Sequence, residues 1–230
     1  KPTTIAQAIQ RWEEANERKI EEAREVGFQF QIPPIEVMDR DISLLKNVVK
    51  LSLSTNRIDK VQNLNGLKFL RQLSLARNRL VSIRGIEAVK DTLERLYLSY
   101  NAIKSLAGIE NLTKLNCLFM MYNELEMPEI NRVVKLDSQY KEVAFWGNPA
   151  CAKATEMEWK DMMVTKFPTC RYLEGESRID IRPSEIKKIA GDRPIEPEFT
   201  KEELIELDQV LTIYGIPSLE GGGDAEEDEE

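Results

Sequence analysis

At 230 residues and 42% hydrophobic content the chain is long enough to bury a sizeable core, and its formal net charge of −8 makes it a poor general binder of nucleic acid. No apolar run approaches the roughly 18 residues a membrane span needs, and no signal-peptide pattern is recognisable. Histidine is absent, which removes the commonest general base and metal ligand; with no G-x-x-x-x-G-K-[ST] loop and no carboxylate motif of definite spacing, the sequence reads as non-catalytic, without cofactor or metal.

The charge is uneven along the chain. Residues 1–150 hold 22 Lys and Arg against 19 Asp and Glu, whereas residues 151–230 hold 10 against 21. Cys117, Cys151 and Cys170 form no C-x-x-C pair, and an odd number argues against a disulfide framework, so reduced thiols in a cytoplasmic protein are expected.

Residues 1–47 read as an N-terminal helical cap. Thr4 with Gln7 makes a capping box, and Ile5, Ala8, Ile9 and Trp12 lie along one helical face behind it. That helix is expected to run on through the charged stretch Glu13–Glu25 towards Gly27, with Trp12 packed in the cap. Pro33-Pro34 ends an extended segment, and the spacing of Ile35, Met38, Ile42, Leu45 and Val49 predicts a second helix seated on the first strand.

From 48 to 149 one pattern recurs. Val48-x-x-Leu51-x-Leu53-x-x-Asn56 is followed by Leu70-x-x-Leu73-x-Leu75-x-x-Asn78, Leu93-x-x-Leu96-x-Leu98-x-x-Asn101, Leu115-x-x-Leu118-x-Met120-x-x-Asn123 and Tyr140-x-x-Val143-x-Phe145-x-x-Asn148. The asparagines stand 22, 23, 22 and 25 residues apart, the period of a leucine-rich repeat. Between copies, apolar residues recur every third position (Ile58, Val61, Leu64, Leu67, Leu70), which suits loops, 3₁₀ turns or a short helix better than a long α-helix. No copy can bury its apolar side alone, so the expected fold is an α/β solenoid of about five to six repeats stacked on a parallel sheet.

Alternation along each strand then marks an outward face. Repeats 1 and 2 contribute Lys50, Ser52, Ser54, Gln72, Ser74 and Ala76. The later repeats contribute Arg95, Tyr97, Ser99, Cys117, Phe119, Met121, Glu142, Ala144 and Trp146. Tyr97, Phe119, Met121 and Trp146 form a candidate protein-binding patch with Arg95 beside them, and Tyr100 and Tyr122 at the strand exits could rim it. Either a partner or the chain's own C-terminal extension could cover this face.

Residues 150–175 read as a C-terminal repeat cap: a helix of mixed burial over Ala154–Phe167, then Phe167, Cys170 and Leu173 in the leucine register. Residues 176–217 read as a linker and extension, with a short helix at 184–190 and an amphipathic stripe Leu204, Leu207, Leu211, Tyr214 behind a Thr200/Glu203 capping box. Arg178, Arg182, Lys187 and Lys188 are possible secondary contacts to an acidic surface, although a solvated, salt-bridged surface explains them more simply. Residues 218–230 read as a disordered acidic tail.

Several non-repeat segments add a resemblance. Arg11-Trp12-Glu13-Glu14, Gln31-Ile32-Pro33-Pro34-Ile35-Glu36, Asn63-Leu64-Asn65-Gly66-Leu67-Lys68, Asp91-Thr92-Leu93-Glu94 and Gly147-Asn148-Pro149 stand in the order found in the leucine-rich-repeat light chains of axonemal outer-arm dynein. The resemblance covers residues 3–175, and the remaining residues extend past the family's usual end. It implies a non-catalytic light chain, monomeric within a larger complex in the axoneme of a cilium or flagellum. It further implies binding to a dynein heavy chain at the microtubule-binding tip of the stalk, with tubulin as a possible second contact, and regulation of the motor. Membrane and nucleic acid are not among the expected partners. The alternatives are another repeat adaptor, such as a phosphatase regulatory subunit or a ciliary assembly factor, or an acidic leucine-rich nuclear protein; neither would need the non-repeat segments.

Overall fold

The computed structural model describes residues 1–181. One sheet runs through them in chain order: β1 (Glu25–Gly27), β2 (Lys50–Ser52), β3 (Gln72–Ser74), β4 (Arg95–Tyr97), β5 (Cys117–Phe119), β6 (Glu142–Ala144), β7 (Tyr172–Leu173) and β8 (Glu176–Ser177). Neighbours from β1 to β7 are parallel, and β8 turns back antiparallel on β7. Leu51, Leu73, Leu96, Leu118, Val143 and Leu173 are successive register partners, and all are buried in one continuous core. This is the expected leucine-rich-repeat solenoid.

The repeated asparagine explains why the copies stack in register. The Asn101 side-chain carbonyl accepts from the Leu80 amide at 2.9 Å, and its Nδ2 donates to Leu75 O and Leu98 O at 3.0 and 2.9 Å. Asn56, Asn78, Asn123 and Asn148 repeat the arrangement. A short strand leaves backbone groups unpaired where the chain turns away, and each asparagine closes its own turn and the previous one together.

The connections follow the three-residue apolar spacing. Leu64–Gly66, Ile86–Val89 and Ile109–Asn111 are 3₁₀ helices, each placing its first residue in the core. Gly85, at φ +97°, opens the second of them, where a Cβ would meet the Val61 carbonyl oxygen. The 25-residue interval admits a true α-helix, α2 (Met127–Val134), with Pro128 in its first turn and Ile130 and Val133 buried.

Two helical expectations fail near the N-terminus. A helix α1 (Ile5–Asn16) forms behind the Thr4 capping box but stops there, with Glu17 in the left-handed region. The apolar residues that follow, Ile20, Ala23, Val26 and Phe28, are spaced three, three and two apart; that suits the observed 3₁₀ turn (Ile20–Glu22) followed by β1, not a continuing α-helix. The helix expected after Pro34 is only a 3₁₀ turn, Arg40–Leu44, capped by Asp39. Ile35, Met38, Ile42 and Leu45 are fully buried as their pattern required, whereas Val49 is half-buried: threes and fours fit a chain of turns as well as a helix.

At the other end, α3 (Glu156–Lys166) starts from a Thr155/Glu158 capping box and buries Trp159, Met163 and Val164, leaving Met157 78% exposed. Phe167, Cys170 and Leu173 continue the core, and α4 (Arg178–Ile181) follows β8. The stripe Leu204–Tyr214, the helix expected at 184–190, Arg182, Lys187, Lys188 and the acidic tail lie outside the described residues. All three cysteines are free and buried.

Candidate protein-binding face

Because side chains alternate, the face opposite the leucines is set by the residues flanking them. Register aligns one row as Lys50, Gln72, Arg95, Cys117, Glu142 and Tyr172, and the next as Ser52, Ser74, Tyr97, Phe119 and Ala144. In repeats 1 and 2 the second row is a hydroxyl ladder: the Ser54 and Ser74 hydroxyls lie 2.6 Å apart, and Ser52 donates to Ser54 at 3.4 Å.

In the later repeats the row is aromatic. The rings of Tyr97 and Phe119 meet at 5.3 Å between centroids, tilted by 43°. They are only 2% and 7% exposed, yet neither belongs to the leucine core. Cys117 donates weakly to the Tyr97 hydroxyl at 3.8 Å and to Glu142 at 3.5 Å. Burial pushes the Cys117 thiol well above its ordinary value and the Glu142 carboxylate adds to this, so the sulfur is held as an inert thiol. Burial also raises the Glu142 carboxyl, against the opposing pull of Cys117 and Arg95.

Met121 and Trp146 are half-buried at the strand exits. Trp146 packs partly against the core, so it does not stand fully on the outer face as alternation alone implied. Its position is fixed by Glu174, whose carboxylate accepts from the amides of Phe145 and Trp146 at 2.9 Å each and from Trp159 Nε1 at 2.8 Å. Burial raises the Glu174 carboxyl and the three donors act against it. With no further asparagine to close the last turn, Glu174 supplies that acceptor; nothing in the repeat pattern singles it out.

Tyr100 and Tyr122 stack face to face at 4.5 Å and 16°, and the Arg77 guanidinium lies 4.4 Å over the Tyr100 ring. They are separate from the Tyr97–Phe119 pair, along the strand-exit rim. Arg178 is used inside the fold: its guanidinium donates to the carbonyls of Phe167 and Val164 at 2.7 and 3.1 Å, holding the end of α3. Among the described residues no group of three or more His, Cys, Asp or Glu is arranged to hold a metal.

No family model matches the sequence. Relatives named Dynein axonemal light chain 1 do match. The proteins of Xenopus laevis and Ciona intestinalis are each 44% identical over 177 residues, covering 76% of this chain and 92% and 93% of theirs. The Bos taurus protein is 58% identical over 94 residues, and in that match the chain spans about half of the relative's length, 50%. Among solved structures, a leucine-rich-repeat protein of Leptospira interrogans shares 25% identity over 60% of this chain and 34% of its own, with a TM-score of 0.47. The non-repeat segments and the repeats together thus have their counterpart in one group of proteins, and the chain belongs to the axonemal dynein light chain 1 family.

Proposed function

We propose that this chain is a non-catalytic light chain of axonemal dynein that binds the heavy chain through the outer face of repeats 3 to 5 and thereby regulates the motor in a cilium or flagellum. Family membership supports the dynein assignment, and the observation that carries the binding face is the set of aromatic side chains outside the leucine core, of which Tyr97 and Phe119 are buried and Tyr100 and Tyr122 exposed. Met121, Trp146, Tyr100 and Tyr122 form its accessible edge, and Arg95 adds a positive charge in the neighbouring row. Aromatic and methionine side chains at the centre of a patch with a polar surround are what the energetic centre of an interface is made of. Tubulin is a further contact this reading allows, and the heavy-chain stalk tip is where the two would meet.

The test is a pull-down from detergent-extracted axonemes with the recombinant chain and with a Phe119→Ala/Trp146→Ala variant, bound proteins being identified by mass spectrometry. Loss of a central interface aromatic costs about 2 kcal/mol or more, roughly thirtyfold in affinity. A heavy chain held by the wild type and lost by a variant with an unchanged circular dichroism spectrum supports both role and face. A heavy chain held equally by both keeps the role and moves the site. A phosphatase or a nuclear complex in its place overturns the reading.

A further inference from the structure

The residue before each repeat asparagine adopts the left-handed conformation: Thr55, Arg77, Tyr100 and Tyr122 have φ between 53° and 60°, and Gly147 has φ 80°. Non-glycine residues adopt this conformation only at an energetic cost, so its recurrence is imposed by the repeat. Each of these residues donates its amide to the neighbouring repeat: Thr55 to Ala76 O, Arg77 to Ser99 O, Tyr100 to Met121 O and Tyr122 to Trp146 O, all at 2.8–2.9 Å. Their side chains therefore form one row along the strand-exit rim, a sheet spacing apart, and flat groups in such a row stack. Arg77 lies on Tyr100, Tyr100 on Tyr122, and the Tyr122 ring occupies the space that a Cβ on Gly147 would fill. The two rings are still 39% and 41% exposed.

The charge along this rim is one-sided. Residues 48–86 carry eight Lys and Arg against a single acid, Asp59, within a chain of net charge −8. Arg57 and Arg79 follow the asparagines of adjacent repeats and Arg77 precedes the second; all three are exposed. The Arg79 amide donates to Ile58 O at 2.8 Å, which places the two turns side by side. Some exposed basic residues pair with a carboxylate, as in Arg71–Glu94, Lys104–Glu124 and Arg132–Glu129. Among the described residues none stands within 4.0 Å of Arg57, Arg77 or Arg79.

We infer that this rim is a second interaction surface, which takes an acidic polypeptide segment of a partner protein. Arginine forks on neighbouring turns pair with carboxylates of an extended chain, and the stacked tyrosines pre-order Arg77 and offer an apolar edge to the backbone of that chain. The cluster is short and sits on an acidic protein, which favours a peptide over a polyphosphate strand. The inference does not rest on the heavy-chain reading: its charged residues Arg57, Arg77 and Arg79 lie outside that face, and it shares only Tyr100 and Tyr122 with the edge of it.

The experiment is fluorescence anisotropy of the full chain with a fluorescein-labelled peptide of alternating glutamate and glycine, at low and at physiological salt. The expected result is salt-sensitive binding that falls about tenfold in Arg57→Gln/Arg77→Gln/Arg79→Gln, in line with the sum of three exposed charge pairs. It should survive in Lys90→Gln/Lys114→Gln/Lys135→Gln, which removes the same charge from other exposed positions. Arg57→Lys/Arg77→Lys/Arg79→Lys should recover part of it, so a folding defect in the glutamine variant would be told apart from loss of charge. No binding by the wild type overturns the inference. So does an equal loss in the lysine control, which would report net charge alone, and so does tighter binding of a single-stranded oligonucleotide, which would make the rim a nucleic-acid surface.

Discussion

Repeats 1 and 2 and repeats 3 to 5 have the same interior and different exteriors. Inside, both present leucine or an equivalent at each register position and the same asparagine staple. Outside, the first two show linked serine hydroxyls and the exposed Arg57, Arg77 and Arg79, with no carboxylate within 4.0 Å of these three among the described residues, whereas the later ones show Tyr97 against Phe119 and the stacked Tyr100 and Tyr122. One backbone, repeated at a fixed rise, can therefore carry two surfaces of different character on the same sheet. Packing constrains one side of each strand and leaves the other free to vary from repeat to repeat.

If that division is right, interior substitutions should cost the same in both halves. Leu75→Ala and Leu98→Ala, both fully buried, should each destabilise the solenoid by about 2–5 kcal/mol in urea unfolding. Neutral results would mean that inside and outside have been exchanged, and unequal ones would break the symmetry of the interior.

A smaller effect is expected from the staples. Asn78→Ala and Asn101→Ala leave the amides of Ile58 and Leu80 without their acceptor, at about 1–3 kcal/mol each. Hydrogen exchange should show faster exchange at those two amides before any change in the strands, and an unchanged rate would remove the staple from the account.

The smallest effect separates the halves. Glu129 on α2 accepts from the Leu106 amide at 2.6 Å and from the Ser105 hydroxyl at 3.1 Å, and it pairs with Arg132, a clamp on the turn of repeat 3. Burial acts to raise its carboxyl, but the Leu106 amide, Arg132 and Ser105 outweigh this and lower it below its ordinary value. A lowered folded-state value means stability that is complete above the ordinary value of 4.5 and is lost as pH falls through the folded one. Glu129→Gln should therefore cost about 1.5 kcal/mol at pH 7, and the gap to wild type should close in acid. Measuring that gap isolates Glu129 from Glu142 and Glu174, whose raised carboxyls act with the opposite sign. A gap independent of pH would mean that the clamp owes nothing to charge.

The family-specific segments illustrate how far sequence reaches into the cap. Arg11 of the Arg11–Glu14 match donates to Gln31 Oε1 at 3.0 Å and to Ile32 O at 3.4 Å, so two matched segments distant in the chain touch each other. Their agreement with relatives was visible as strings of letters, while their contact was not.

The sequence by itself determined the solenoid, its period, its inward leucines and the start of α1, because these depend on local spacing and on capping groups a few residues apart. It also placed Ile35, Met38, Ile42 and Leu45 in the core while leaving their conformation open, since a spacing of threes and fours serves turns and helices alike. Tertiary structure alone decided that Glu25–Gly27 adds a strand, that Glu174 ends the stack, and that Trp146 leans on the core. It alone put Arg77, Tyr100 and Tyr122 in one stack. Each of these depends on which residue of a neighbouring turn stands opposite, a distance of twenty or more residues along the chain that only the sheet register converts into contact.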